Sequence, residues 1–385
     1  MTLLRKSIAI LLIVSILSSL CGCWNYRLLE DLAIVAGMAI DKGTDDRFEL
    51  TIEIAEAKSG KERIVGSRII HTSGQTIFDA VRDGISIVGK KLYWSHTKSI
   101  ILSEEIARDE MSNVMDWLAR DGETRTDIEM FVAQGIPAKD ILQVENPSDE
   151  ILSYTLESMI LNEDGLSKAN HTQTWKYVND LISPGIYPTV PCVSLWNDSE
   201  GQTPSIEGTA LFHNFNFAGF LDGDQTKDYL FIENKIKGGL LVYPFSYQGK
   251  EQFVSLEIFN NKTKFETKWN DSKPEITVHI ETTAAIDELH GTPGEIGNEL
   301  TNTLERSAQE YLKKRIENTI QLVQSKYKFD VFGFGNYIYR TEPQKWKALE
   351  PNWDDTFSKL KVNVETQVSI KNSATVKKTM PGGVG

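Results

Sequence analysis

Four residues near the start of the chain, Leu20-Cys21-Gly22-Cys23, have the types and order needed for a thiol to be alkylated by lipid. The acceptor pattern is a cysteine directly after a small residue, with an aliphatic residue three positions before it. The thiolate takes a diacylglyceryl group, and cleavage after Gly22 frees the Cys23 amine for acylation by a chain such as palmitate. Cys23 fits; Cys21 would put Leu20 at the cleavage position and Ser18 at the aliphatic one. Upstream, Arg5 and Lys6 give a positive start, and the apolar run from Ile8 to Leu20 is shorter than the about 20 residues a membrane-spanning helix needs. Residues 1–22 therefore read as a signal peptide. With two or more acyl chains on one residue the anchor reaches the stable range, since each buried methylene contributes about 0.8 kcal/mol.

No other residues combine into chemistry. The six histidines are His71, His96, His171, His213, His279 and His290, and no two stand at i, i+4 on a helix. There is no cysteine pair at zinc spacing, no metalloprotease pattern and no nucleophile elbow. Gly291-Thr-Pro-Gly294-Glu-Ile-Gly297 precedes a helical stretch but lacks the Lys-Ser/Thr of a phosphate loop, and Glu295 would repel an anion. Carboxylates are too numerous for any pair to stand out, and the eight tryptophans are spread along the chain, which suits packing better than a sugar platform. The sequence predicts no catalytic residues, no metal and no cofactor.

Losing residues 1–22 removes Arg5 and Lys6 and takes the formal charge from −13 to −15. An acidic body argues against nucleic acid and against a polybasic grip on anionic lipid, which leaves anchoring to Cys23. After cleavage Cys23 and Cys192 are the only thiols; with Cys23 lipidated no internal disulfide can form. Cys192, in Pro191-Cys192-Val193, reads as a small buried hydrophobe. The chain is thus expected to be exported and held by lipid at the outer face of a cytoplasmic membrane.

The elements follow from periodicity. Leu32 to Ile40 reads as a buried strand, and Phe48 to Ala55 alternates, with Glu49, Thr51 and Glu53 on its polar face. Helices are expected over 77–88, closing at Gly89, over 104–120, 151–161 and 171–181, with strands over 99–102 and 127–133. Residues 23–196 therefore read as a mixed α/β region. The Pro- and Gly-rich stretch after Ser183 suggests a linker at 197–205. Beyond it, 207–212 and 216–221 make a hairpin, 224–235 a short helix and 239–243 a strand. Strands at 254–258, 263–269 and 276–280 follow, joined by turns at Asn260-Asn261 and Asn270-Asp271. Residues 294–327 form the longest helix, with Leu300, Leu304, Ala308, Leu312, Ile316 and Ile320 in its apolar stripe. A short helix at 343–350 and a strand through Leu360, Val362 and Val364 complete a domain at 206–371; 372–385 reads as a frayed tail. The expected class is multi-domain α+β: the mixed region, then an antiparallel sheet with one long C-terminal helix packed on it.

The whole chain resembles the Ger(x)C family, the lipoprotein C subunits of nutrient germinant receptors of spore-forming bacteria. The residues that carry this are Cys23-Trp24, Asp31-Leu-Ala-Ile-Val-Ala-Gly-Met-Ala-Ile-Asp41, Glu207-Gly-Thr-Ala-Leu-Phe212, Gly219-Phe-Leu-Asp222, and Asp330-Val-Phe-Gly-Phe-Gly335 followed by Pro343, Trp346-Lys347 and Trp353. One departure lies beside the anchor, where Asn25 and Arg27-Leu28 replace the acid and Arg-Glu pair usual in the family. The resemblance implies a mixed α/β body, residence at the spore inner membrane, and partnership with two multi-pass subunits of A-type and B-type. It implies no catalytic residues. The competing expectations are a solute-binding lipoprotein of a transporter, which usually has two doubly wound lobes, and an enzyme of peptidoglycan.

Overall fold

The computed structural model describes residues 2–19, 28–58, 64–144, 151–197, 199, 201–289 and 297–373. Gly22, Cys23, His290, the Gly291–Gly294 segment and residues 374–385 lie outside the described residues. The start of the chain forms helix α1, Thr2–Ser19. Among the described residues no helix is long and apolar enough to cross a membrane.

Strands β1 (Leu32–Lys42), β2 (Phe48–Lys58) and β3 (Ile64–Gly74) pair antiparallel. Helix α2 (Ile77–Val88) follows, with the Thr76 hydroxyl accepting from the Asp79 amide at one end and Gly89 in the left-handed region (φ 71°) at the other. Strands β4 (Lys91–Tyr93) and β5 (Ser99–Leu102) lie parallel to β1. The helix expected over 104–120 is two, α3 (Glu104–Asp109) and α4 (Met111–Arg120). Glu110 breaks it at φ −128°, ψ 3°, its carboxylate drawn inward to Arg47, 2.8 Å away on the β1–β2 connection.

Strand β6 (Glu129–Ala133) runs parallel to β5. After α5 (Ala138–Leu142), α6 (Leu152–Leu161) and α7 (Thr174–Ile182), strand β7 (Thr189–Asn197) runs parallel to β6. Strands β8 (Gln202–His213) and β9 (Asn216–Leu221) then fold back as antiparallel neighbours. The sheet order is β3-β2-β1-β5-β6-β7-β8-β9, with β4 beside β1. One apolar core lies between this sheet and α2 to α4, and another beneath α5 and α6.

Burial on both faces corrects the reading of β2 as half exposed. Glu53 is 1% exposed, and its carboxylate accepts from the Leu152 and Ser153 amides at the start of α6 at 2.9 and 2.8 Å. Asp41 on β1 does the same for the start of α5, accepting from the Ala138 and Lys139 amides at 2.7 and 2.8 Å. Carboxylates on the sheet thus cap helices laid across it, which satisfies orphan amides and favours the helix dipole. Gly37 leaves room for this: a Cβ there would sit 2.1 Å from the Ser153 hydroxyl.

The second half opens with α8 (Gly223–Ile232), which carries a capping box of Asp222 and Gln225. Strands β10 (Leu240–Tyr247), β11 (Lys250–Asn270) and β12 (Lys273–Leu289) are antiparallel. Asn260-Asn261 is not a turn: β11 passes through it with bulges beside it. The Asn261 side chain makes the bulge tenable, accepting from Thr282 at 2.9 Å and donating to Thr263 at 3.2 Å. Helix α9 (Asn298–Leu322) buries the expected stripe from Leu300 to Ile320 and ends in a π turn at Val323–Tyr327. Helices α10 (Phe334–Thr341), α11 (Pro343–Leu349) and α12 (Trp353–Ser358) lead to β13 (Lys361–Ser373), which joins parallel to β12. The α+β class is as expected: the C-terminal sheet is antiparallel through three strands, the fourth is parallel because α9 to α12 form its crossover, and the long helix packs on it.

Candidate functional site

Within the stretch 197–205, expected as a linker, Asn197 ends β7 opposite Gln202 of β8, and residues 202–205 pair with 194–197. The two halves meet instead along a seam. Its centre is Asp330, fully buried, whose carboxylate accepts from the amides of Phe332, Gly333 and Gly335 at 3.0, 2.9 and 2.7 Å and from the Trp353 indole at 3.2 Å. Burial raises its pKa to about 7 even though these donors pull it down. The turn so formed docks on residues 184–187: the Asn336 amide donates to the Gly185 carbonyl at 2.9 Å, the Tyr187 amide to the Asp330 carbonyl at 3.0 Å. Gly185 (φ 69°) and Gly335 are in backbone contact, a Cβ on Gly185 falling 2.4 Å from the Gly335 carbonyl carbon.

Two further contacts close the seam. Tyr187 donates to Asp354 at 2.9 Å, and the His213 ring stacks on Tyr187 with its Nε2 2.9 Å from the same carboxylate. The Tyr187 hydroxyl is held well above its ordinary pKa by burial and by Asp354. Tyr327 in the π turn donates to the Phe220 carbonyl at 2.7 Å and lies on Gly219, where a Cβ would be 2.7 Å from its ring. Within the second half, Asp228 on α8 faces Arg315 on α9 at 3.1 Å and accepts from Thr319 at 2.9 Å, and burial raises its pKa to about 6.

Beside the seam is an open cleft of about 390 Å³ lined by His171, Gln173, Trp175, Lys176, Leu230 and Lys237 among others. Its ammonium groups are already paired, Lys176 with Asp180 and Lys237 with Asp164. Behind it the buried Glu129 takes a hydrogen bond from the Gln173 side chain and lies 2.8 Å from His171 Nε2. The remaining described histidines are scattered: His71 contacts Thr51, His96 lies against Tyr93, and His279 sits between Glu266 and Glu365. Among the described residues no group of three or more metal-ligating side chains could hold an ion. Cys192 is fully buried and burial drives its thiol pKa up, as its sequence setting suggested. The arrangement at the seam therefore offers contacts and rigidity.

Two family models match, one described as spore germination protein N-terminal domain over residues 25–195 and the other as spore germination B3/GerAC like, C-terminal over 207–374. The chain belongs to the Ger(x)C family of spore germination proteins. Spore germination protein KC of Bacillus subtilis is 25% identical over 96% of this chain and 97% of its own length. Spore germination protein B3 of the same organism is 25% identical over 94% and 96%. The crystal structure of the GerBC protein matches 87% of this chain and 97% of that one at a TM-score of 0.55 and 22% identity, which shows the shared fold.

Of the Ger(x)C stretches recognised in the sequence, Asp31–Asp41 forms β1 within the first sheet, while those at 219–222 and 330–353 meet at the seam. Asp330–Gly335 is its central turn, Gly219–Asp222 carries the π turn and caps α8, and Trp346 and Trp353 pack edge to face at 5.2 Å above it. Gly185, Tyr187 and His213 were missed by the sequence reading. Pro184-Gly185 ahead of β7 was the available signal, a turn with no visible partner.

Proposed function

We propose that this protein is a lipid-anchored, non-enzymatic subunit of a nutrient germinant receptor, held through Cys23 at the outer face of the spore inner membrane. It works there with multi-pass subunits of the A-type and B-type. The observation that carries the reading is the match of both halves of the chain to spore germination families, in order and almost end to end. The lipoprotein pattern at Gly22-Cys23 supplies the anchor. Tethering confines the body and its partners to one surface and raises their effective concentration, so modest contacts suffice for assembly.

The test is deletion of the gene together with Cys23→Ala. Deletion should give spores that form normally, fail to respond to one class of nutrient, and still germinate when triggered downstream of receptors. Cys23→Ala should leave the N-terminus without lipid by mass spectrometry and reduce both co-purification with multi-pass subunits and the nutrient response. Impaired solute uptake in growing cells with unchanged germination would instead make it a transporter's binding protein.

A further inference from the structure

Helix α7 has two unlike faces. Thr174, Tyr177 and Asp180 are buried, while Trp175, Val178 and Ile182, at i, i+3 and i+7, are 52%, 39% and 73% exposed. Such a stripe of large apolar groups on a helix surface calls for an occupant. Its place in the fold identifies one. Gly37 of β1, Ser99 of β5 and Glu129 of β6 are neighbours across parallel strands, and Glu129 is bridged in turn to Gln173. The Trp175 amide donates to the Thr126 carbonyl at 2.9 Å, three residues before Glu129. From Gly37 the same direction leads back to Leu32 and Leu28, where the chain arrives. Tyr177 donates to the Asn214 carbonyl in the β8–β9 turn, which lies at that end too because β8 runs opposite to β7. So α7 lies across the end of the sheet at which the chain enters it.

Cys23 and Leu28 are separated by four residues, so their Cα atoms are at most about 18 Å apart at about 3.6 Å per residue. If Cys23 is lipidated, as the proposed function holds, this end of the sheet is kept against the bilayer. Leu28, 49% exposed, and Ile87 on α2, 48% exposed, are at the same end, where β1 begins beside β4. We propose that α7 rests on the membrane, its Trp175, Val178 and Ile182 entering the boundary between headgroups and acyl chains. Tryptophan beside aliphatic residues suits that depth. The contact is apolar, since the cations nearby are paired with acids: Lys176 with Asp180, Arg125 with Asp127. It orients a body that the lipid alone would leave free to swivel.

The full lipidated protein, in a Trp24→Phe background, is reconstituted in phosphatidylcholine vesicles with and without brominated acyl chains, and tryptophan fluorescence is read. Trp196 serves as the internal control: it is 61% exposed but seven residues along β7 from Thr189, about 23 Å toward the other end at roughly 3.3 Å per residue. Trp175→Phe should remove most of the quenching and Trp196→Phe almost none, with little change between 0.05 and 0.5 M salt, about a tenfold range chosen to screen surface charge. Equal effects of the two substitutions overturn the proposal. A photoreactive residue at position 178 in spore membranes should cross-link to lipid; a protein adduct alone would mean that α7 docks on a subunit and would also overturn it. The mass of the N-terminal peptide from the same sample reports separately on the anchor. An unmodified Cys23 removes the anchoring premise, whereas a lipidated Cys23 without Trp175 quenching refutes the α7 contact itself.

Discussion

At the scale of single residues, Asp330 shows why a recognisable stretch need not be a reactive one. Its carboxylate takes four donors that have no water to turn to, and an unsatisfied buried donor costs about 1–3 kcal/mol. Asp330→Ala should therefore lower unfolding free energy by roughly 4 kcal/mol or more, measured by denaturant titration. Its pH dependence has a definite sign. The folded value of about 7 lies above the ordinary 3.8, so the folded chain keeps a proton that the unfolded chain releases. That contribution is complete below about pH 4 and is lost as pH rises to 7. Asp228, raised to about 6, acts in the same direction. The melting temperature should fall between pH 5 and pH 7.5, and Asp330→Asn, though less stable throughout, should show a shallower fall. An unchanged slope would mean that Asp330 is ionised across the range. Sequence revealed that Asp330 and its glycines matter but not why, since their partners at 184–187 lie about 145 residues away and no local pattern points to them.

At the scale of elements, periodicity was legible wherever one face is buried. Helices α2 and α9 follow their stripes, and the hairpin of β8 and β9 falls where alternation placed it. The exceptions are sites where a distant side chain overrides local preference. Asn260-Asn261 has turn chemistry, yet Thr282 on β12 supplies a partner that lets β11 continue as one strand of 21 residues. Asn270-Asp271 had the same local signal and is a true turn, with Asp271 at φ 56°. Glu53 looked solvent-facing because alternation cannot see a helix arriving from residue 152. Asn261→Ala should lower the denaturant midpoint by an amount equivalent to about 1–2 kcal/mol with the same slope, because it strands the buried Thr282 hydroxyl without unpairing the strand. A changed slope, or no loss at all, would count against this account of the bulge.

At the scale of the whole molecule, the sequence divides near 197–205 and the matched families divide at 195 and 207, but the hydrogen bonding does not. Strands β8 and β9 belong by sequence to the second half and by pairing to the first sheet, while Leu211 and Leu221 on them pack into the core beneath α9. Composition reports turn formers faithfully; it cannot say whether a turn separates two cores or joins two paired strands. With one strand of the hairpin on each side, a cut at 199–201 breaks a covalent bond and leaves the β7–β8 ladder, the docking of the Asp330 turn on residues 184–187 and the Tyr187–Asp354 hydrogen bond in place. We therefore expect chain nicked there to elute as one species under native conditions and to unfold in a single transition at a lower midpoint, since the nick adds freedom only to the unfolded state. Residues 23–197 and 206–373 made separately should be poorly soluble, each exposing a seam built to be covered, and should recover when made together. Separation of the nicked fragments with each keeping its circular dichroism would show two independent domains. The seam would then be a docking contact that germination can open.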